Sequence, residues 1–210
     1  MDPATAQDRM SRGMGSAARV LGDVYDLFRP HGPVRPLAPE HRIMQLPVVF
    51  DGGYPGYTRP RGYERALRAM FDSVAVLAGD YMRGPRGVLF VAALPQMLRP
   101  ICVLTNVVFD VLRPIGAVGP GLGGYGGVSE GTLQPMLVGW PGSLIVDSGS
   151  RGGVLPADGG RAGFSVLLPT TPKEILSSDL LQDEEGRRYL VRGTEATELG
   201  WRLSVRQAGA

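Results

Sequence analysis

Lysine is almost missing from this chain: of its 22 basic residues, all but Lys173 are arginine. Lys173 stands in Pro172-Lys173-Glu174, so the G-K-[ST] phosphate loop is excluded. The arginine bias fits a GC-rich coding origin, and it also suits bidentate contacts with carboxylates between packed copies of a protein. Cysteine is as scarce. Cys102 is the only one, which rules out an internal disulfide. Within Ile101-Cys102-Val103-Leu104 no neighbouring base or cation is apparent to lower its pKa, so a buried, inert thiol is expected rather than a nucleophile. The two histidines, His31 and His41, have no cysteine nearby and no third ligand at zinc spacing, and no metal site or cofactor is expected. No apolar run approaches the roughly 20 residues of a spanning helix, so no membrane span is expected. The first thirty residues lack a basic start followed by an apolar core, so no secretory signal is expected either. A formal charge of +2 does not argue for a duplex-DNA binder, which concentrates positive charge in a stripe or tail, and no specific nucleic-acid binding is expected.

Glycine and proline, by contrast, are abundant, at 31 and 18 residues of 210. They divide the chain into short segments. Ala17, Val20, Leu21, Val24, Leu27 and Phe28 recur at three- and four-residue steps, the stripe of a helix that Arg29-Pro30 would end. From Pro30 to Pro60 prolines dictate an extended path, with Ile43 to Phe50 an edge strand interrupted at Pro47. Tyr54, Tyr57 and Tyr63 among Arg59, Arg61 and Arg65 could stack on single-stranded bases, but an aromatic-rich packed loop is the commoner outcome. Gly62 to Leu77 has helical spacing at Ala66, Leu67, Met70, Phe71 and Val74. Val88 to Ala93 and Ile101 to Leu112 read as strands that pair across Pro95 to Pro100, and Met136 to Trp140 with Ser143 to Asp147 as a hairpin turning at Trp140-Pro141-Gly142.

Eight glycines fall among the seventeen residues Ile115 to Gly131. Gly119, Gly121 and Gly124 satisfy G-x-G-x-x-G, yet Gly126-Gly127-Val128-Ser129-Glu130-Gly131 cannot open the helix that phosphate binding requires behind the glycines. The loop is read instead either as a solvent-exposed Ω-like or hairpin excursion or as a segment ordered when neighbouring subunits close around it. No nucleophile elbow, zinc-protease helix or paired-cysteine pattern is present. Asp183, Glu184 and Glu185 form the only tight carboxylate cluster, and three in a row at a hairpin tip read as a solvated turn rather than a glycosidase pair held across a cleft.

From Gly163 to Gln207 the chain reads as three antiparallel strands, Phe164 to Leu168, Arg188 to Arg192 and Trp201 to Arg206, with Tyr189 and Val191 sharing one face and Trp201, Leu203 and Val205 another. Asp179-Leu180, Asp183, Gly186-Arg187-Arg188-Tyr189, Glu195, Thr197 and Gly200-Trp201-Arg202-Leu203 form a pattern that resembles a segment of structural neck and tail-completion proteins, of the head-closure or adaptor kind, in tailed bacteriophages and prophages. Val20 to Pro30 has a similar flavour. The resemblance implies a virion structural protein built into an oligomeric ring, assembled in the host bacterial cytoplasm beside other phage neck or tail proteins, with no active site.

The expected fold is mainly β, an antiparallel barrel or sandwich with one or two helices and long Gly/Pro-rich loops. Its divisions are an N-terminal arm or helix over 1–30, a β-rich core over 31–162 containing the 115–131 loop, and a C-terminal strand unit of the same core over 163–210. Tyr25, Phe28, Gly121, Gly123 and Tyr125 are the candidate subunit contacts. A cytoplasmic β-rich binding module and, below it, a phage cell-wall-degrading enzyme are the rival readings.

Overall fold

The computed structural model describes residues 2–51, 64–115, 133–147 and 163–208. The fold is mainly β, as expected, with a single α-helix among the described residues. That helix, α1 (Pro3–Leu21), opens on Asp2, whose carboxylate accepts the Thr5 amide at 3.4 Å, and ends at Gly22. Twelve strands follow: β1 (Asp23–Phe28), β2 (Arg42–Phe50), β3 (Ala66–Met70), β4 (Tyr81–Gly84), β5 (Gly87–Ala93), β6 (Ile101–Leu104), β7 (Val107–Pro114), β8 (Leu133–Asp147), β9 (Gly163–Leu168), β10 (Leu180–Asp183), β11 (Arg188–Thr197) and β12 (Gly200–Gln207). They form two closed antiparallel barrels, β1-β2-β3-β6-β5-β4 and β7-β8-β9-β12-β11-β10.

The division of the chain therefore differs from the expected one. The boundary falls at Thr105-Asn106, between β6 and β7, and residues 163–208 share their barrel with β7 and β8. Ile101 to Leu112, expected as one strand, breaks there because polar side chains take over the pairing: Thr105 donates its amide and hydroxyl to the Val88 carbonyl, while Asn106 both donates to the Leu144 carbonyl and accepts its amide. The helical stripe expected over Ala17 to Phe28 also breaks. A Cβ at Gly22 would lie 2.6 Å from both the Ala18 and Val48 carbonyl oxygens, so only glycine lets the helix end turn directly into β1. Beyond it Tyr25 and Leu27 point into the first barrel and pair in register with Leu46 and Met44.

Gly62 to Leu77 is not a helix where it is described. Ala66 to Met70 is β3, paired to β2 and β6, because Ala69 and Phe71 alternate into the barrel; tertiary pairing overrides the helical spacing. The expected hairpin at Trp140-Pro141-Gly142 is instead one long strand, β8, bent by bulges opposite Phe109 to Leu112. Pro47, expected to interrupt an edge strand, sits within β2 opposite Val24; β3 joins only at Val49 and Phe50, so the position lacking an N–H has an open side.

The two barrels are the same structure built twice. Their strand orders match one for one, and most of their registers agree, although the β1–β2 ladder slips once, between Leu27 and Phe28, and the β7–β8 ladder twice, between Phe109 and Leu112. Asp26 opposite Arg83 corresponds to Asp110 opposite Gln182, Tyr81 opposite Phe90 to Leu180 opposite Leu190, and Val24 opposite Pro47 to Val108 opposite Pro141. The ladders of β5 with β6 and of β11 with β12 both slip at the same place, between Val91 and Ala93 and between Val191 and Gly193. One ion-pair clamp is repeated. Arg29 forks onto Asp80 at 2.9 and 2.7 Å and reaches the Ala75 carbonyl, while Asp80 accepts the Leu77 amide. Arg113 forks onto Asp179 at 2.8 Å for both bonds and reaches the Glu174 carbonyl, while Asp179 accepts the Leu176 amide. Gly79 and Ser178, just before the aspartates, share a left-handed backbone at φ 95° and 81°.

Two hydrophobic clusters result. Tyr25, Leu27, Leu46, Val48, Phe71, Met82 and Leu89 fill the first barrel. The second cluster fills the second barrel around Phe109, Trp140, Tyr189 and Leu203, and continues onto the outer face of the first through Phe28, Tyr81, Phe90 and Val103. A buried side chain of this size contributes roughly 1.5–3 kcal/mol.

Because the guanidinium of each clamp is partly exposed and the aspartate is buried, Arg113→Ala and Arg29→Ala should each lower stability by about 2–3 kcal/mol. Denaturant titration checks this. Gly22→Ala should likewise destabilise by about 1–3 kcal/mol through overpacking, whereas Gly13→Ala, with nothing within 4 Å of its added Cβ, should stabilise α1 by about 0.5–1 kcal/mol.

Candidate functional site

The residues of the Asp179-to-Leu203 pattern hold the hairpins of the second barrel. Asp179 forms the clamp before β10. Asp183, at the turn between β10 and β11, is buried rather than solvated: its carboxylate accepts the amides of Glu185 and Arg187, the Arg187 side chain at 2.6 Å and the Tyr189 hydroxyl at 3.2 Å. Gly186 completes the turn at φ 76°. Glu185 pairs with Arg187 from the exposed side at 2.8 Å. Thr197 donates to the Gly200 carbonyl, Trp201 donates its indole N–H to Thr171, and Leu203 is in the core.

Burial pushes the Asp183 carboxyl upward, but the Arg187 side chain, the Arg187 amide and the Tyr189 hydroxyl favour its ionised form, and its pKa ends below the ordinary 3.8. Such an anion, already saturated with donors, is suited to holding a turn and poorly suited to proton transfer. Burial also pushes up the Cys102 thiol, which is fully enclosed in the first barrel, so little thiolate forms there. His31 and His41 lie edge to face at 5.7 Å, with His41 Nδ1 3.3 Å from the Pro36 carbonyl. Among the described residues, no group of three metal-ligating side chains comes together.

Of the five expected contact residues, Tyr25 and Phe28 are placed in the core, at 0% and 3% exposure. The helical reading had set Phe28 on its stripe, and both residues were expected to be subunit contacts. As strand residues, Tyr25 instead enters the first barrel and Phe28 packs between the barrels. Gly121, Gly123 and Tyr125 lie outside the described residues, as do Tyr54, Tyr57 and Tyr63 and most of the Gly-rich loop.

Two surfaces are of interest for binding. A groove of about 500 Å³ between α1, β3 and the β5–β6 connection is lined by Met10, Met14, Met70, Met97 and Ile101 together with Arg68 and Arg99. Methionine suits such a surface, since it repacks readily. Arg99 is held by Asp51 at 2.7 Å, and Met97 donates its amide to Gln7, which ties the connection to α1. Elsewhere, the turn from α1 into β1 exposes Val20 (82%), Leu21 (73%) and Val24 (53%). The helical stripe had included these three residues, but their outward direction depends on the helix ending at Gly22, which periodicity alone did not reveal. The repeated Val24–Pro30 and Val108–Pro114 segments were the available signal for the tandem barrels.

Since the folded Asp183 carboxyl titrates below its unfolded value, the folded state binds fewer protons in acid and stability rises with pH. Its contribution should be complete above the ordinary carboxylate range and fall away as pH drops from that range through the lower folded value. Denaturation midpoints across that range should fall more steeply for the wild type than for Asp183→Asn; equal slopes would contradict the assignment.

No family model, curated protein or solved structure matches the chain.

Proposed function

We propose that this chain is a structural subunit of a tailed-phage or prophage virion, placed in the neck or tail, where it forms an oligomeric ring joining successive assemblies. The observation that carries the reading is the pattern Asp179-Leu180, Asp183, Gly186-Arg187-Arg188-Tyr189 and Gly200-Trp201-Arg202-Leu203, which resembles such proteins and lies on the paired strands β10 to β12 and their turns. Turn geometry of this kind supports a rigid presenting scaffold. The exposed apolar side chains at the start of β1 support a surface that another chain covers, because isolated apolar residues are ordinary on a surface but adjacent ones mark association. In this reading the protein is assembled in the host cytoplasm, binds copies of itself and other neck or tail proteins, and converts no substrate.

A β-rich binding module is the second reading, favoured by the methionine-lined groove beside α1. The two are separated by producing particles with an epitope-tagged chain and purifying them by density gradient. A virion subunit should co-sediment with particles in a fixed copy number and its deletion should leave heads and tails unjoined. Absence from purified particles, with intact virions formed without it, would overturn the proposal.

A further inference from the structure

The joint between the two barrels has a presenting side and a seat. Phe28, Tyr81, Phe90 and Val103, neighbours across β1, β4, β5 and β6, present one apolar face of the first barrel. Tyr81 seats it on β8, its ring 6.2 Å from that of Trp140 and its hydroxyl donating to the Pro141 carbonyl at 2.8 Å. Each half of this joint has a counterpart on the opposite barrel. Through the matched registers, Phe28, Tyr81, Phe90 and Val103 become Leu112, Leu180, Leu190 and Arg206, directly opposed in the same way across β7, β10, β11 and β12. The seat at Pro141, opposite Val108, becomes Pro47 opposite Val24.

The second barrel therefore carries another copy of the presenting face, on which Leu112 and Leu190 are half-buried and Leu180, between them, is buried at 1% exposure. The first barrel carries another copy of the seat, where Val24 is exposed and Val20 and Leu21 extend the apolar surface. We infer that a second copy of this chain docks head to tail, setting its Val24–Pro47 seat on the Leu112–Leu190 face of the first. The inference deepens the proposed function and rests on its view of the chain as a self-assembling subunit; what selects a copy of the chain over any other partner is that the same joint already exists within it. Such a contact uses two different surfaces, so it repeats and closes into a ring when the rotation permits.

The substitutions between the two faces say how the outer joint differs from the inner one. Leu180 lacks the hydroxyl that Tyr81 gives to Pro141, and Arg192 and Arg206 replace Ala92 and Val103. Asp26, two residues beyond Val24 on β1, is already held by Arg42 at 2.6 Å and by Gln45. The joint between copies is thus less apolar than the one within the chain and lacks its hydroxyl bond, which makes it reversible.

Val24→Glu removes one surface and Leu190→Glu the other; Leu112→Glu serves in place of Leu190→Glu should that variant not fold, as judged by circular dichroism. Sedimentation velocity at the highest soluble concentration should show the wild type larger than one chain and each variant alone as a single chain. An equimolar mixture of the two variants should form a two-chain species and nothing larger, because one intact seat meets one intact face. Variants that assemble as the wild type does, a mixture that stays monomeric, or a monomeric wild type would overturn the inference. A wild type that assembles by another surface and enters virions would leave the proposed function standing, while the expected mixing pattern without virion incorporation would leave the joint standing and remove the function.

Discussion

Closure of each barrel depends on an arginine at the end of its first strand meeting the aspartate that opens its fourth. Arg29 and Asp80 do this in the first barrel, Arg113 and Asp179 in the second. Closing a sheet removes its edges but requires a fixed stagger between the strands that meet last. The clamp supplies that stagger in a form that cannot slide, since a bidentate fork fixes direction as well as distance, and the same aspartate also ties down the turn before it through Leu77 or Leu176. Leaving either aspartate buried without its arginine would cost far more than an exposed pair contributes, which makes the interaction a device of registry.

With registry held in common, the differences between the barrels become informative. Where the first has Gly84, leaving room for the Tyr25 ring, the second has Asp183, around which Arg187 and Tyr189 gather. Where the first has Tyr81, bonded across the joint, the second has Leu180. One barrel is thus adapted to a permanent neighbour in the same chain. The other carries Leu112, Leu180 and Leu190 at that place with Arg192 and Arg206 beside them, and in the proposed docking this face takes a neighbour that arrives separately.

The strands of the C-terminal segment were legible in the sequence because each alternates cleanly: Tyr189 and Val191 are buried together, as are Leu203 and Val205, and turn residues bound each strand. The strands at the N-terminal side were obscured by steps that satisfy two periods at once. Tyr25, Leu27 and Phe28 suit a helix as well as a strand, and only the close approach of Gly22 to Val48, a contact distant in sequence, decides between them. The repeat escaped a fixed-period reading since its loops differ in length, the clamp partners being 51 residues apart in the first barrel and 66 in the second. The proposed contact surface was half legible: Val20, Leu21 and Val24 are visible as apolar, yet the proposed opposite number at Leu112 and Leu190 is defined by pairing across strands and by nothing local.

We propose a single barrel used twice within the chain and, by the same joint, again between chains. Cross-linking tests this most directly. Cysteines placed at Val24 and Leu190 and treated with a short bifunctional maleimide should give a ladder of linked chains on a denaturing gel, with Cys102, enclosed in the first barrel, unreactive. A single band at one chain, under conditions where the wild type sediments as an oligomer, would contradict it.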